Sequence, residues 1–371
     1  MNRESAYWMA LAHDLPAWSF SDKEAWKNED RNNLIIKFFH DNKISVEEFF
    51  NLTEKQWKDD YGLNDRKVAE LTQAKDAVAN NAFIAESLDN QGYEVIPIVS
   101  PEYSKILKAN LKKSAPVVLY IKGNRAVLQE KSIAIVGSRD ASETALKFTD
   151  NIARQASKEY KVIVSGFARG VDKQALDSAI AYKGQSIIVL PQGITTFGSG
   201  FKTYYRQITE GDVLVLSIFH PQAGWNAGLA MARNPIIYGL ADEIFVAESA
   251  DKGGTWEGVL DGLNKIKKGL RKDGTIFVRQ PEKSEKNANA LLIAKGAVAV
   301  DFYGNKLQIK EYAPQEFYSQ VVAEPAVPYA SFPERIKQIL LNGKLSIKEI
   351  HRKLNFDKSE QVLKTELNKL D

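Results

Sequence analysis

An α/β fold built on a doubly wound, mainly parallel sheet is predicted for this 371-residue sequence, with a helical segment before the sheet and a small helical segment after it. Three observations predict it. The stretch Ser132–Asp172 reads strand, tight turn, helix, strand, tight turn, with the β-branched runs Ile133–Val136 and Val162–Val164 separated by a helix-period segment. Seven further short apolar runs alternate with helical patterns, the signature of strands buried on both faces of a helix-covered sheet. Composition also divides the chain into three regimes: aromatic-rich helical pattern, alternating strands and helices, and a proline-spaced segment before a lysine-rich tail.

Residues 1–84 are helical in pattern and carry Trp8, Trp18, Trp26 and Trp57. The break Tyr61-Gly62-Leu63-Asn64-Asp65 before a further helix reads as a small SAM-like or helix-hairpin-helix unit. It could bind a DNA backbone through the hairpin or serve as a packing module. The single glycine, with Asp59 and Asp60 beside it, favours packing. Residues 85–312 form the sheet domain. Its strands are expected at Tyr93–Val99, Val117–Ile121, Ile133–Val136, Val162–Val164, Ser186–Leu190, Val213–Ser217, Glu243–Ala247, Thr275–Val278 and Ala297–Asp301. Residues 313–332, with Pro314, Pro325 and Pro328, read as a linker. Residues 333–371 then give three short helices of winged-helix or helix-turn-helix type, with Ser346 and Glu349 as a capping box and Ser359 as an N-cap. Lys358, Lys364 and Lys369 suit DNA, but Glu360 and Glu366 blunt that field, so DNA and protein contact both stand.

Composition removes several function classes. There are no cysteines, which excludes disulfides, thiolate metal sites and cysteine nucleophiles, and four scattered histidines make a metal site unexpected. Net charge is only +3, so any basic surface must be local. The first residues lack a charged-then-apolar leader pattern, and no apolar run approaches membrane-spanning length, so a cytoplasmic protein with no membrane contact is expected.

Open α/β sheets bind ligands outside the carboxyl ends of their strands. Those ends here carry Gly137-Ser138-Arg139, Ser165-Gly166, Pro191-Gln192-Gly193, Ser217 and Glu248. Glycine lets a backbone approach a ligand, free N–H groups at a helix start attract phosphate, and arginine adds a bidentate cation. Asp172 reads as a helix cap, whereas Arg169 and Lys173 suit either phosphate or solvent. Asn234 is expected to cap a helix with Pro235 at its first position, leaving Arg233 near the strand-end edge. Lys252-Gly253-Gly254-Thr255 makes a phosphate cradle without Walker A spacing. The run Lys265, Lys267, Lys268, Arg271, Lys272 is a solvated helix end or part of an electrostatic track. Phe197, Phe201, Tyr204 and Tyr205 interleave with Lys202 and Arg206, a pattern suited to base stacking beside backbone neutralisation, although some of these rings belong in a core. No nucleophile–base arrangement emerges.

The ordered motifs AIVGSR, VSGFARGVDKQAL, IIVLPQG, RNPIIYGLADEIFVAES, KGGTW and NALLIAKGAVAV resemble the DprA/Smf DNA-processing family over roughly residues 85–305. The resemblance implies an extended Rossmann-like fold, cooperative binding of single-stranded DNA, a homodimer, and loading of a RecA-type recombinase during natural transformation, with no cofactor and no known enzymatic activity. It implies that Ser138, Arg139, Ser165, Gly166, Arg233 and Asn234 line the phosphate-binding edge, and it aligns Phe201 and Lys202 with backbone and base contacts. With the residues above, the full expected set is Gly137, Ser138, Arg139, Ser165, Gly166, Arg169, Lys173, Phe201, Lys202, Arg233, Asn234, Gly253, Gly254 and Thr255. The chain departs from the family pattern at Leu176, where a histidine is usual, and at Pro235, where a second arginine is usual. Two alternatives remain open on the same fold. One is a nucleotide- or nucleic-acid-sensing module of a defence or stress system. The other is a phosphoribohydrolase-type enzyme, whose PGGxGTxxE motif is only partly echoed by Lys252–Glu257.

Overall fold

The computed structural model describes residues 2–17, 22–272 and 274–307. The linker expected at 313–332 and the winged-helix-like segment expected at 333–371 lie outside the described residues. Nine strands form one sheet: β1 (Glu94–Pro97), β2 (Val118–Lys122), β3 (Ser132–Val136), β4 (Val162–Ser165), β5 (Ser186–Val189), β6 (Val213–Ser217), β7 (Glu243–Val246), β8 (Ile276–Arg279) and β9 (Val298–Val300). Each falls within or across one of the nine apolar runs singled out in the sequence. The order is β1-β2-β6-β5-β4-β3-β7-β8-β9. From β6 to β9 all pairings are parallel, and every residue of β3, β4, β5 and β6 is buried, so these strands need apolar side chains on both faces. At the opposite edge β2 runs antiparallel to β6 and β1 antiparallel to β2. Pro97 sits in edge strand β1, where a missing N–H need not interrupt a ladder.

The chain leaves β3 outward through β4, β5 and β6 in one direction and through β7, β8 and β9 in the other. This reversal places a topological switch point between the carboxyl ends of β3 and β7. Helices cover both faces. Glu143–Lys158 and Val171–Ala181 bury Phe148, Ile152, Val171 and Ala175 against Ile133, Ile135 and Ile163 on one side. On the other side Ala227–Gly239 and Gly254–Lys267 bury Ile236, Ile237, Val259 and Leu263 in a larger core.

That larger core continues into the N-terminal helices through Trp8, Phe38, Phe49 and Trp57. Asn2–His13 packs along Val78–Asn90, and capping boxes at Ser45/Glu48 and Thr53/Gln56 start the short helices between them. At the expected hairpin Gly62 takes φ +69°, Asn64 caps the helix Asp65–Asp76, and Trp57 and Tyr61 turn into the core. The hairpin's aromatic residues are therefore spent on packing. His13, at the end of the first helix, reaches the sheet: its Nε2 lies 2.9 Å from the Tyr120 hydroxyl, and its ring meets His220 edge-on at 5.8 Å.

One expected boundary is corrected. The helix carrying Arg233 and Asn234 begins at Ala227, capped by Asn226, whose Oδ1 accepts the Leu229 N–H at 2.8 Å. Pro235 lies inside this helix rather than at its first position. Both asparagines precede helix-forming residues, but Asn226 reaches the free N–H groups first. The proline leaves the Met231 carbonyl without its helical donor.

Candidate nucleic-acid interface

A cleft of about 400 Å³ lies over the carboxyl ends of β3, β4 and β5. Its floor is built by the turn after β4. Ser165 is buried and donates its hydroxyl to the Ile135 carbonyl at 2.9 Å, tying the end of β4 to β3. Gly170 takes φ +81°, and a Cβ there would lie 2.5 Å from the Arg139 carbonyl oxygen, so the turns after β3 and β4 can meet only if this residue is glycine. Asp172, two residues further, is buried. Its carboxylate lies beside the Ser165 hydroxyl, accepts from the Gly166 and Ala168 N–H groups and braces the turn. Burial pushes its pKa up, while the Arg233 charge and these hydrogen bonds pull it down.

Arg233 fills the floor. It is 4% exposed, Nη1 donates to the Val189 carbonyl at 3.0 Å, and Nε has no partner. Its guanidinium lies flat against Gly166, where a Cβ would overlap Nη1. Burial lowers its pKa, Asp172 opposes that shift, and Arg139 lowers it again. The last effect places a second cation close by at the exposed rim. Asp140, adjacent to Arg139 in sequence, pairs with Arg169 instead. Among the described residues neither Arg139 nor Arg233 has an ion-pair partner. Two neighbouring cations set against the single Asp172 carboxylate leave a net positive site that suits an anion.

The walls are aromatic. Phe167 and Phe197 meet edge to face with centroids 4.9 Å apart, and Trp225, 58% exposed, stands at the mouth. Phe167 sits at φ +63°, an unfavourable backbone for a bulky residue, of the kind that clusters at binding sites. Trp225 is presented by a fixed loop: the Ala223 and Pro221 carbonyls accept from the Gly193 N–H at 2.8 Å and the Thr195 hydroxyl at 2.7 Å. Gln192 donates both amide hydrogens to Thr196, to its carbonyl at 3.0 Å and its hydroxyl at 2.9 Å, which leaves Oε1 as the acceptor.

Of the expected residues, Arg139, Gly166, Arg169 and Arg233 line this cleft. The others lie elsewhere. Ser138 accepts the Asp140 N–H, and Lys173 is held by Asp177 and by the Tyr204 hydroxyl. Phe201 packs between Phe197 and Tyr93 with the Lys122 ammonium over its ring, and Lys202 is exposed on the short helix Gly198–Thr203. Tyr204 is buried and Tyr205 is 70% exposed, the mixture anticipated for that segment. Gly137, Gly253, Gly254 and Thr255 gather at the switch point, where the protein meets its own groups. The Thr255 hydroxyl donates to the Gly137 carbonyl at 3.1 Å, the Ser138 N–H to the Glu248 carbonyl at 2.9 Å, and Ser142 to the Glu248 carboxylate. Asn234 leans on the same helix start, with Nδ2 3.5 Å from the Gly254 carbonyl. In the basic run Arg271 bonds the Tyr238 and Ala241 carbonyls at the end of the helix Ala227–Gly239. Leu176 is wholly buried.

Sequence reasoning missed Phe167 and Trp225 as lining residues, whereas Gln192 and Phe197, named from the sequence in a strand-end turn and a stacking pattern, do line the cleft. The available signal was an aromatic within a glycine-rich strand-end turn, as in SGFARG and QAGWNAG. Among the described residues no cluster of three or more His, Cys, Asp or Glu could hold a metal, and no helix is long and apolar enough to cross a membrane.

Residues 94–309 match the model of a protein family described as DNA recombination-mediator protein A. DNA processing protein DprA of Streptococcus pneumoniae is 34% identical over 141 residues, 38% of this chain and 50% of that protein. DNA processing protein DprA of Bacillus subtilis is 26% identical over 188 residues, 50% of this chain and 63% of that protein. The chain thus spans between half and two thirds of the length of these curated relatives. The X-ray structure of DNA processing protein A from Streptococcus pneumoniae superposes with a TM-score of 0.59 at 23% identity, covering 81% of this chain and 94% of that one, a likeness of fold.

Proposed function

This chain belongs to the DNA recombination-mediator protein A family, the DprA/Smf DNA-processing proteins, and on that premise we propose that it binds single-stranded DNA in the cleft over β3, β4 and β5. In this reading it acts as a mediator that passes the strand to a RecA-type recombinase, and not as an enzyme. The carrying observation is Arg233, a buried guanidinium with an unpartnered Nε and with Arg139 as its neighbour. A phosphate supplies an acceptor for Nε and a counter-charge for the positive charge that Asp172 leaves unbalanced. The aromatic walls argue for a single strand, because stacking on Trp225, Phe167 or Phe197 needs a base free of its partner. The switch point, where a mononucleotide usually sits on such a sheet, is closed by Glu248, Ser142 and Thr255. The homodimer, the recombinase partner, the cytoplasmic location and a role in natural transformation rest on the family resemblance.

The test is titration of labelled oligo-dT and of free mononucleotides at two salt concentrations. Tight, length-dependent binding that weakens steeply with salt is expected. Mononucleotide binding without affinity for oligo-dT would instead support the nucleotide-sensing reading and remove this one.

A further inference from the structure

Resting on that reading of the cleft, we propose that it is an end pocket: it takes the terminal phosphomonoester of a single strand, with the terminal base against the aromatic wall, in preference to an internal phosphodiester. Two observations carry this.

The first is size. At about 400 Å³ the cleft lies near the lower end of the volumes that hold small molecules, roughly 300–1,000 Å³, so it takes about one nucleotide and not a run of them.

The second is where the charge sits. The most deeply placed cation, Arg233, is 4% exposed and shares the cleft with Phe167 and Phe197, while the rim carries the exposed Arg139 and Arg169, the latter paired with Asp140. A phosphate must leave the surface to reach Arg233. An internal phosphodiester is bonded to a sugar on each side, so seating it on the floor requires two strands of backbone to pass the aromatic wall. A terminal phosphate requires only one.

The experiment is a competition series against an internally labelled oligo-dT, using unlabelled oligo-dT of one length in four forms: 5′-phosphorylated, 3′-phosphorylated, without terminal phosphate, and closed into a circle. Free 5′-dTMP and 3′-dTMP are included. One phosphorylated linear form should compete about tenfold better than the unphosphorylated and circular forms, and Arg139→Ala should remove that advantage. Arg233→Lys should reduce it. The exposed Arg139 variant keeps the test decisive if the buried one does not fold. Equal competition by the circle and by both phosphorylated forms would overturn the end pocket while leaving single-strand binding intact. Competition by dTMP as strong as that of the phosphorylated strand would overturn it in favour of a free nucleotide. Absence of binding to every oligonucleotide form would remove the underlying reading of the cleft.

Discussion

Gly166→Ala isolates the floor of the cleft without touching a charged residue. Gly166 does not need a left-handed backbone, so alanine is compatible with its φ, but the added methyl occupies the position of Arg233 Nη1. The guanidinium must swing away and give up the 3.0 Å bond to the Val189 carbonyl. Two effects on stability then oppose each other. A hydrogen bond from a charged group contributes about 1.5–3 kcal/mol. Against its loss stand the release of a desolvated cation to water and about 0.4–1 kcal/mol from the lower unfolded-state entropy of alanine. Near-cancellation is expected, with a change in Tm of only a few degrees. Binding has no such compensation. Losing one charge-assisted phosphate contact of about 1.5–3 kcal/mol weakens affinity by roughly 10- to 150-fold. Fluorescence anisotropy with oligo-dT and thermal unfolding on the same preparation read both quantities. Wild-type affinity in the Ala variant would refute the placement of Arg233 as the phosphate ligand. A fall in Tm of more than about 10 °C would show that the arginine is chiefly a structural prop.

Arg139→Ala should weaken binding to dT, dC and dA strands alike and lower the salt dependence of log K by about 0.7, the single-strand value for one phosphate contact. A base-selective loss would contradict a backbone role. Trp225→Ala should leave the thermal midpoint nearly unchanged, since the ring is 58% exposed, and cost about 1–3 kcal/mol in strand binding measured by anisotropy. The His13 ring is held neutral by burial and by the nearby His220 and Arg31, which lower its pKa from 6.5 to about 3. Because the folded-state pKa lies below the unfolded one, its contribution is complete above about pH 6.5 and is lost as pH falls towards 3. Denaturant unfolding from pH 7 to pH 4 should therefore show a steeper loss of stability in the wild type than in His13→Gln. Parallel curves would mean that the ring titrates freely.

The strands were legible because a parallel sheet covered on both faces demands uninterrupted β-branched runs, and no other element in this chain competes for that pattern. IVSG and SIIV could hardly be anything else. The helix start at Ala227 was not legible from local signals. Asn226 and Asn234 are both acceptable caps, and the proline after the second mimics a first helical position. The cleft itself depends on which strand ends become neighbours. Arg233 meets Gly166 and Val189 only because β4 and β5 lie side by side, and that adjacency follows from strand order, which local pattern does not encode. The same dependence hid the closure of the switch point. Thr255 and Gly137 are 118 positions apart in sequence, yet a hydroxyl hydrogen bond joins them across the switch point. Lys173 is different: its i,i+4 partner Asp177 is visible in the sequence, a local signal that the expectation of a phosphate contact at Lys173 did not use.

The features around the cleft that a stable fold would avoid all point the same way. Phe167 holds a left-handed backbone at a cost of about 1–2 kcal/mol for an L-residue. Arg233 gives up hydration with only the Asp172 charge to offset the loss, and a second cation, Arg139, adds to its cost. Pro235 removes a helical hydrogen bond one residue after Asn234. None of these is compensated locally by packing that an apolar substitute could not provide equally well. Such features agree with the anionic, base-bearing ligand proposed for the cleft. A catalytic site would also need a positioned base or nucleophile facing the same space. Here the carboxylates near the floor are tied to backbone N–H groups, serine hydroxyls or Arg169, and the serine at the end of β4 donates its proton to a strand carbonyl. These contacts agree with the role proposed for the cleft, that of holding a strand.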